Sequence, residues 1–268
     1  MMIRPFKAAV LQFRIDMGSV EANAGRAFAL LGKASREGAS LCVLPEMWST
    51  GFAYDRLNAL ARTTPGILHD LRRLASDKRM VIAGSLPERA GRYVYNTLYV
   101  VNATGAITGQ YRKAHLFQPS GEHLHFRKGN SAEVALTDVG AVGPHICYDL
   151  RFPELSRKYF LEGATLFCVS AQWPSVRKAH WELLNTARAV ESQLFVAASN
   201  AVGPSGDFRF AGGSLIVSPW GERLASAGEE EGLAIASIDP SQVAEVRRRI
   251  PCAQDRNERA YRKTRQKK

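Results

Sequence analysis

The chain has 268 residues, 46% apolar, 23% charged and 9% aromatic, a usage that excludes a disordered, collagen-like or disulfide-scaffold protein and fits one large layered domain. Its net charge of +11 is concentrated at the end: residues 247–268 carry ten Lys or Arg against Asp255 and Glu258, and the other 246 residues sum to only +3. We therefore place a single domain over 1–246 and a basic C-terminal arm over 247–268; the body shows neither basic residues interleaved with aromatics nor a finger or RNP pattern, so nucleic acid is not an expected partner.

No apolar run approaches the roughly 18 residues of a membrane span, and the opening MMIRPFKAAVLQFRIDMG reaches Asp16 too soon for a secretion signal. Strand 7–13, helix 20–37, strand 41–45, helix 65–78 and strands 80–85, 94–102 and 106–111 come first, read from β-rich runs alternating with helix-period stretches. Strand 142–147, helix 153–162, strand 164–170, helix 176–191, strands 193–199, 213–218 and 232–238 and helix 240–248 follow. Ser19 reads as an N-cap, and Gly38 and Gly163 as helix stops. The order strand, helix, strand, helix and three strands thus occurs twice, before residue 113 and after 140. GASLCVLPEMW (38–48) overlays GATLFCVSAQW (163–173) without a gap, and NTLYVVNATGAI (96–107) overlays GSLIVSPWGER (213–223) with one. Each half then supplies a sheet with helices on one side. Two such sheets packed face to face give an α/β fold, a four-layer α-β-β-α sandwich with reactive groups at strand ends between the halves.

Three strand ends break from apolar to ionisable: LCVLPEMW at Glu46, GQYRKAHLF at Lys113 and HICYDLRFPE at Cys147. Together they form a complete set for cleaving an amide. A cysteine attacks as thiolate, a lysine cation lowers its pKa and stabilises the oxyanion, and a desolvated carboxylate carries the proton to departing ammonia and then activates water. Cys42 and Cys168 lie in matching apolar runs and read as core, while Cys252 carries no motif. The four cysteines show no paired spacing, so neither a zinc knuckle nor a disulfide framework is expected and a reducing cytoplasm is. Two other constellations stay open: His145, His115 and His180 with a cysteine, and Glu122, His123 and His125 as metal ligands, although the latter lack the spacing of H-E-x-x-H.

These motifs make the chain resemble the nitrilase, or carbon-nitrogen hydrolase, superfamily. The likeness runs from AAVLQF at 8–13 through LPEMWSTGF, YRKAHLF, ICYDLRFPE and AHWELLNTARAVESQLFVAASN to the closing AEVRRRIP. It implies the same sandwich, with Glu46 as general base, Lys113 as oxyanion-stabilising lysine and Cys147 as nucleophile. Glu122 resembles the second glutamate that positions Lys113, and the backbone N–H of Tyr148 the second oxyanion donor. CYDLRFPE resembles the omega-amidase branch, in which the arginine at Arg151 holds a substrate carboxylate; Trp173 and Phe117 would then wall the pocket. The implied reaction is hydrolysis of the terminal amide of a 2-oxo acid monoamide such as 2-oxoglutaramate, with no metal or organic cofactor. A deaminated-glutathione amidase and a nitrilase share these motifs, and a non-catalytic scaffold with an RNA-contacting tail is the reading from another class. His145 departs from the small or aliphatic residue usual near that position. The family often dimerises through its C-terminal segment, here SQVAEVRRRIPCAQDRNERAY, so a homodimer is expected.

Overall fold

In the first strands, alternation sorts side chains onto two faces. In β1 (Phe6–Gln12) and β2 (Ala39–Val43), Ala8, Val10, Leu41 and Val43 enter one core while Ala9, Leu11 and Cys42 enter another. The second core is closed by Ala27, Leu31 and Ala34 of α1 (Val20–Arg36) and, after the short α2 (Leu57–Leu60), by Ile67, Leu71 and Ala75 of α3 (Thr64–Lys78). The computed structural model describes residues 3–261, so the closing RKTRQKK lies outside the described residues.

β3 (Val81–Ala90), β4 (Tyr93–Val101) and β5 (Ile107–Arg112) extend this first sheet, and the single turn α4 (Glu122–His125) follows. The second half runs β6 (Ala135–Thr137), β7 (Gly140–Ile146), α5 (Pro153–Leu161), β8 (Leu166–Ala171), α6 (Lys178–Ser192), β9 (Phe195–Asn200), the hairpin β10 (Val202–Ser205) and β11 (Phe208–Ala211), β12 (Leu215–Val217), β13 (Arg223–Ser226), β14 (Gly232–Ile238) and α7 (Ser241–Arg249). The sheets have the orders β14-β1-β2-β3-β4-β5 and β13-β12-β9-β8-β7-β6. They pack face to face through contacts such as β1 with β9, β3 with β8 and β4 with β7. The sandwich is therefore the expected one.

The assignment of strand 232–238 to the second sheet needs correction. β14 crosses to the first sheet and pairs antiparallel with β1, from Phe6 opposite Ile238 to Gln12 opposite Gly232, and β13 forms the edge of the second sheet beside β12 instead. β6, which the sequence pattern did not show, pairs antiparallel with β7 at the other edge of the second sheet. The last strand of the chain thus completes the first sheet, while β6, which lies between the two repeats, completes the second. This arrangement binds the repeats into one cooperative body.

Helix ends follow the sequence in part. Gly38 (φ 81°) and Gly163 (φ 87°) adopt the left-handed backbone that stops α1 and α5. Ser19 occupies the N-cap of α1 but its side chain makes no capping hydrogen bond; the entry is held instead by buried Asn23, whose Nδ2 donates to Asp16 O (2.7 Å) and Ser49 O (3.1 Å). At the other end, α7 buries Val243 and Val246, and Arg247 donates to Ala164 O at 2.7 Å. The boundary drawn at residue 246 falls inside this helix. No helix among the described residues is long and apolar enough to cross a membrane.

His145 belongs to the core rather than to any site. It is fully buried on β7 between Tyr159 and Phe167, with Nε2 2.9 Å from Ser156 Oγ. Burial pushes its pKa from 6.5 down to about 4, so between those values the unfolded chain binds the extra proton and stability rises with pH. The expected result is a loss of about 2 kcal/mol from this residue between pH 7 and pH 4.5. Urea unfolding of wild type and His145→Asn at both pH values checks it: the stability gap should narrow by that amount in acid, and a gap independent of pH would contradict the assignment.

Candidate active site

The three strand ends meet between the sheets. Glu46 lies three residues past β2, Lys113 directly follows β5 and Cys147 directly follows β7. Glu46 and Lys113 are 1% exposed and Glu122, which opens α4, is 3% exposed. Such burial requires that the charges find one another. Lys113 Nζ donates to Glu46 Oε1 at 2.7 Å and to Glu122 Oε1 at 2.8 Å, which uses two of its three N–H groups. Asn96 Nδ2 donates to Glu46 Oε1 (2.8 Å), Gln172 N to Glu46 Oε2 (3.1 Å) and Phe117 N to Glu122 Oε2 (3.1 Å). Burial alone would depress the Lys113 ammonium, but the Glu122 and Glu46 carboxylates outweigh it and hold it well above its usual value. For Glu122 burial wins over the pull of Lys113 and raises the carboxyl to about 7.

Cys147 enters a turn of 3-10 helix, Cys147–Arg151, with φ of 45°. Left-handed backbone at a residue other than glycine costs on the order of 1–3 kcal/mol and marks a constrained position. Met47, beside Glu46, shares it with φ of 45°. The turn is fixed by Asp149, fully buried, whose carboxylate accepts from Ile146 N (3.0 Å), Tyr111 OH (2.9 Å) and His115 N (3.2 Å). Asp149 thereby ties the cysteine turn to both flanks of Lys113. The Cys147 Sγ lies 3.8 Å from Gln172 O. Burial first, then the Glu46 charge, raise the thiol well above its usual pKa, and Lys113 pulls the other way without prevailing. The expectation of a thiol lowered by lysine is thus corrected: the resting group is a neutral thiol, and a base must remove its proton as it attacks.

Glu46, Glu122 and Cys147 open onto a cleft that Phe117, Tyr148 and Trp173 also line. Phe117 and Tyr148 meet edge to face at 5.0 Å. Trp173, 3% exposed, is locked by Nε1 donating to Arg177 O at 2.8 Å. Arg151 reaches the same cleft, 5.1 Å over Trp173, and bonds to His180 Nδ1.

A model of the carbon-nitrogen hydrolase family matches residues 7–248. The chain belongs to that family. This hydrolase is 42% identical to a 2-oxoglutaramate amidase of Bacillus subtilis over 247 residues, 91% of this chain and 95% of the relative. It is 35% identical to an omega-amidase of Bos taurus over 257 residues, 92% and 93% of the two chains. A solved carbon-nitrogen hydrolase from Helicobacter pylori superposes with a TM-score of 0.91 at 27% identity, covering 97% of each chain.

Seven of the eight residues singled out from the sequence line the cleft of this hydrolase, and the eighth, Lys113, lies behind it, bonded to Glu46 and Glu122. The rival constellations disperse. His115 bonds to Asp149 and stacks on Phe152 at 3.7 Å, His180 serves Arg151, and none of His145, His115 and His180 lines the cleft. Glu122 faces Lys113 while His125 stacks on Tyr54 at 4.1 Å, so these two do not converge on a metal position. Four contributors were missed: Asn96, Gln172, Asp149 and Arg177. Gln172 stands past the apolar run of β8 much as Glu46 stands past β2, and a search for polar as well as ionisable strand ends would have found it.

Proposed function

We propose that this hydrolase cleaves the terminal amide of a short 2-oxo acid monoamide, 2-oxoglutaramate above all, to the acid and ammonia. The observation that carries this reading is the near full-length likeness to a 2-oxoglutaramate amidase; the buried Glu46–Lys113–Cys147 cluster beside a cleft with an arginine wall supports it. Glu46 takes the Cys147 proton as Sγ bonds to the amide carbon. The resulting oxyanion is held by the third N–H of Lys113 and by the Tyr148 N–H, which as an early donor of a short helix has no acceptor within it. Glu46 returns the proton to nitrogen, the C–N bond breaks and ammonia leaves a thioester. Water, deprotonated by Glu46, then attacks the acyl carbon, the C–S bond breaks and the thiol regains its proton. Glu122 keeps Lys113 aimed, Arg151 holds the substrate carboxylate, and Trp173 and Phe117 flank its carbon chain.

The test is ammonia release from 2-oxoglutaramate, deaminated glutathione and a short aliphatic nitrile. We expect kcat/KM for 2-oxoglutaramate to exceed the others by about tenfold or more, the scale on which pocket contacts discriminate; a preference for either alternative would overturn the assignment. We further propose a cytoplasmic homodimer. Four unpaired cysteines support the compartment. A groove between α5 and the C-terminal segment, lined by Leu161, Cys252 and Tyr261, supports self-association there, and a monomer mass by light scattering would contradict it.

A further inference from the structure

Two guanidinium groups line the cleft, and only Arg151 has been given a role. Arg177 ends the 3-10 turn Ser175–Arg177 that leads into α6, and its guanidinium carbon lies 5.5 Å from the centre of the Phe117 ring. Its backbone is fixed through the Trp173 bond, while its half-buried side chain has no carboxylate partner among the described residues; the same holds for Arg151. The carboxylates that line the cleft, Glu46 and Glu122, are both engaged by Lys113. A guanidinium resting on an aromatic face keeps its in-plane N–H edges available, and those edges match planar oxygen pairs. The cleft therefore carries two uncompensated cations, each braced on an aromatic residue, Arg151 on Trp173 and Arg177 on Phe117.

We propose that Arg177 is a specificity-determining residue that forms, with Arg151, a two-guanidinium clamp on the anionic end of the substrate. This deepens the function proposed above and rests on it. A 2-oxo acid presents three oxygens together, two of the carboxylate and one of the neighbouring carbonyl. One guanidinium can satisfy a carboxylate pair; a second supplies donors for what remains. The clamp also fixes polarity, because with the acid end held by the two arginines the amide end is the one left to meet Cys147. A neutral amide gains nothing from either cation.

The experiment compares kcat/KM for 2-oxoglutaramate with that for pentanamide, a neutral amide of equal length, in wild type, Arg177→Gln and Arg177→Lys, each confirmed as folded by circular dichroism. We expect the ratio of anionic to neutral amide to fall by about 10- to 100-fold in Arg177→Gln, the scale of a lost charge-assisted hydrogen bond, through KM for the anionic substrate, with Lys recovering part. An unchanged ratio would overturn the clamp, whether both rates fall together or neither moves. Succinamate, which has the carboxylate but no 2-oxo group, separates this inference from the one beneath it. If wild type ignores 2-oxoglutaramate but cleaves succinamate, and the succinamate ratio falls in Arg177→Gln, the substrate is wrong and the clamp stands. A wild type that prefers pentanamide to both anionic amides overturns the clamp. Calorimetric titration with 2-oxoglutarate reads it without turnover: Kd should rise by the same factor in Arg177→Gln, and an unchanged Kd contradicts it.

Discussion

Cys147→Ala is expected to lower ammonia release by on the order of 10⁴-fold or more, because loss of a nucleophile removes the whole covalent route and leaves only binding and oxyanion stabilisation. Its stability should change little. The thiol donates only a long contact to Gln172 O, and alanine must accept the same left-handed backbone that cysteine accepts at φ 45°. Steady-state assay with urea unfolding checks both parts. A variant that retains a tenth of wild-type activity would refute the nucleophile, and a large loss of stability would mean that the lost rate reports damage instead.

Lys113→Met carries the second large effect, on rate and stability together. Methionine fills the space of the lysine stem but strips the cation from between two carboxylates that are 1% and 3% exposed. Rate should fall by about 10²- to 10³-fold from the missing oxyanion donor. Stability should fall by about 3–5 kcal/mol, the usual consequence of removing one partner from a buried ionic cluster. The sign with pH is specific. Lys113 opposes the burial that already raises the Glu122 carboxyl to about 7; without the lysine that carboxyl rises further, so the folded variant binds more protons than the unfolded chain and loses stability as pH rises. Unfolding at pH 5 and pH 8 should therefore show the larger deficit at pH 8. Adding Glu122→Gln should restore part of the stability but none of the rate. A deficit that shrinks at high pH would contradict the charge arrangement derived from the geometry.

Legibility in the sequence tracked length and charge. β1, β2, β4, β5, β8, β9 and β14 and the five long helices carry enough residues for the alternation or the 3.6-residue period to show. β6 with three residues and β13 with four do not, and the hairpin β10–β11, written VGPSGDFRFA, reads as a loop because Gly and Pro interrupt it. Missing β6 and β13 concealed that β14 completes the first sheet, since a pattern shows that a strand exists and not which neighbour it pairs with. In the site, Glu46, Lys113 and Cys147 stood out because an ionisable group beside a buried run is unusual. Asn96 and Gln172 are neutral and gave no such contrast, although both hold Glu46. Asp149 lies two residues past Cys147 in CYDLR, yet nothing local in that string discloses that its carboxylate reaches back to Ile146 and across to Tyr111 and His115. Arg177 precedes a helix, where a charge is ordinarily solvated; only the fold turns it onto Phe117. The lowering of the Cys147 thiol failed for a related reason, since burial and the Glu46 charge act through three dimensions and outweigh the one lysine the motif displays.

The most direct measurement is mass analysis of the wild-type protein quenched with acid during turnover of 2-oxoglutaramate. The predicted result is a population heavier by the substrate less ammonia, with the added mass on the peptide that contains Cys147 and absent from Cys147→Ala. An adduct on any other residue, or undiminished ammonia release from protein whose Cys147 has been fully alkylated, would contradict the thioester route.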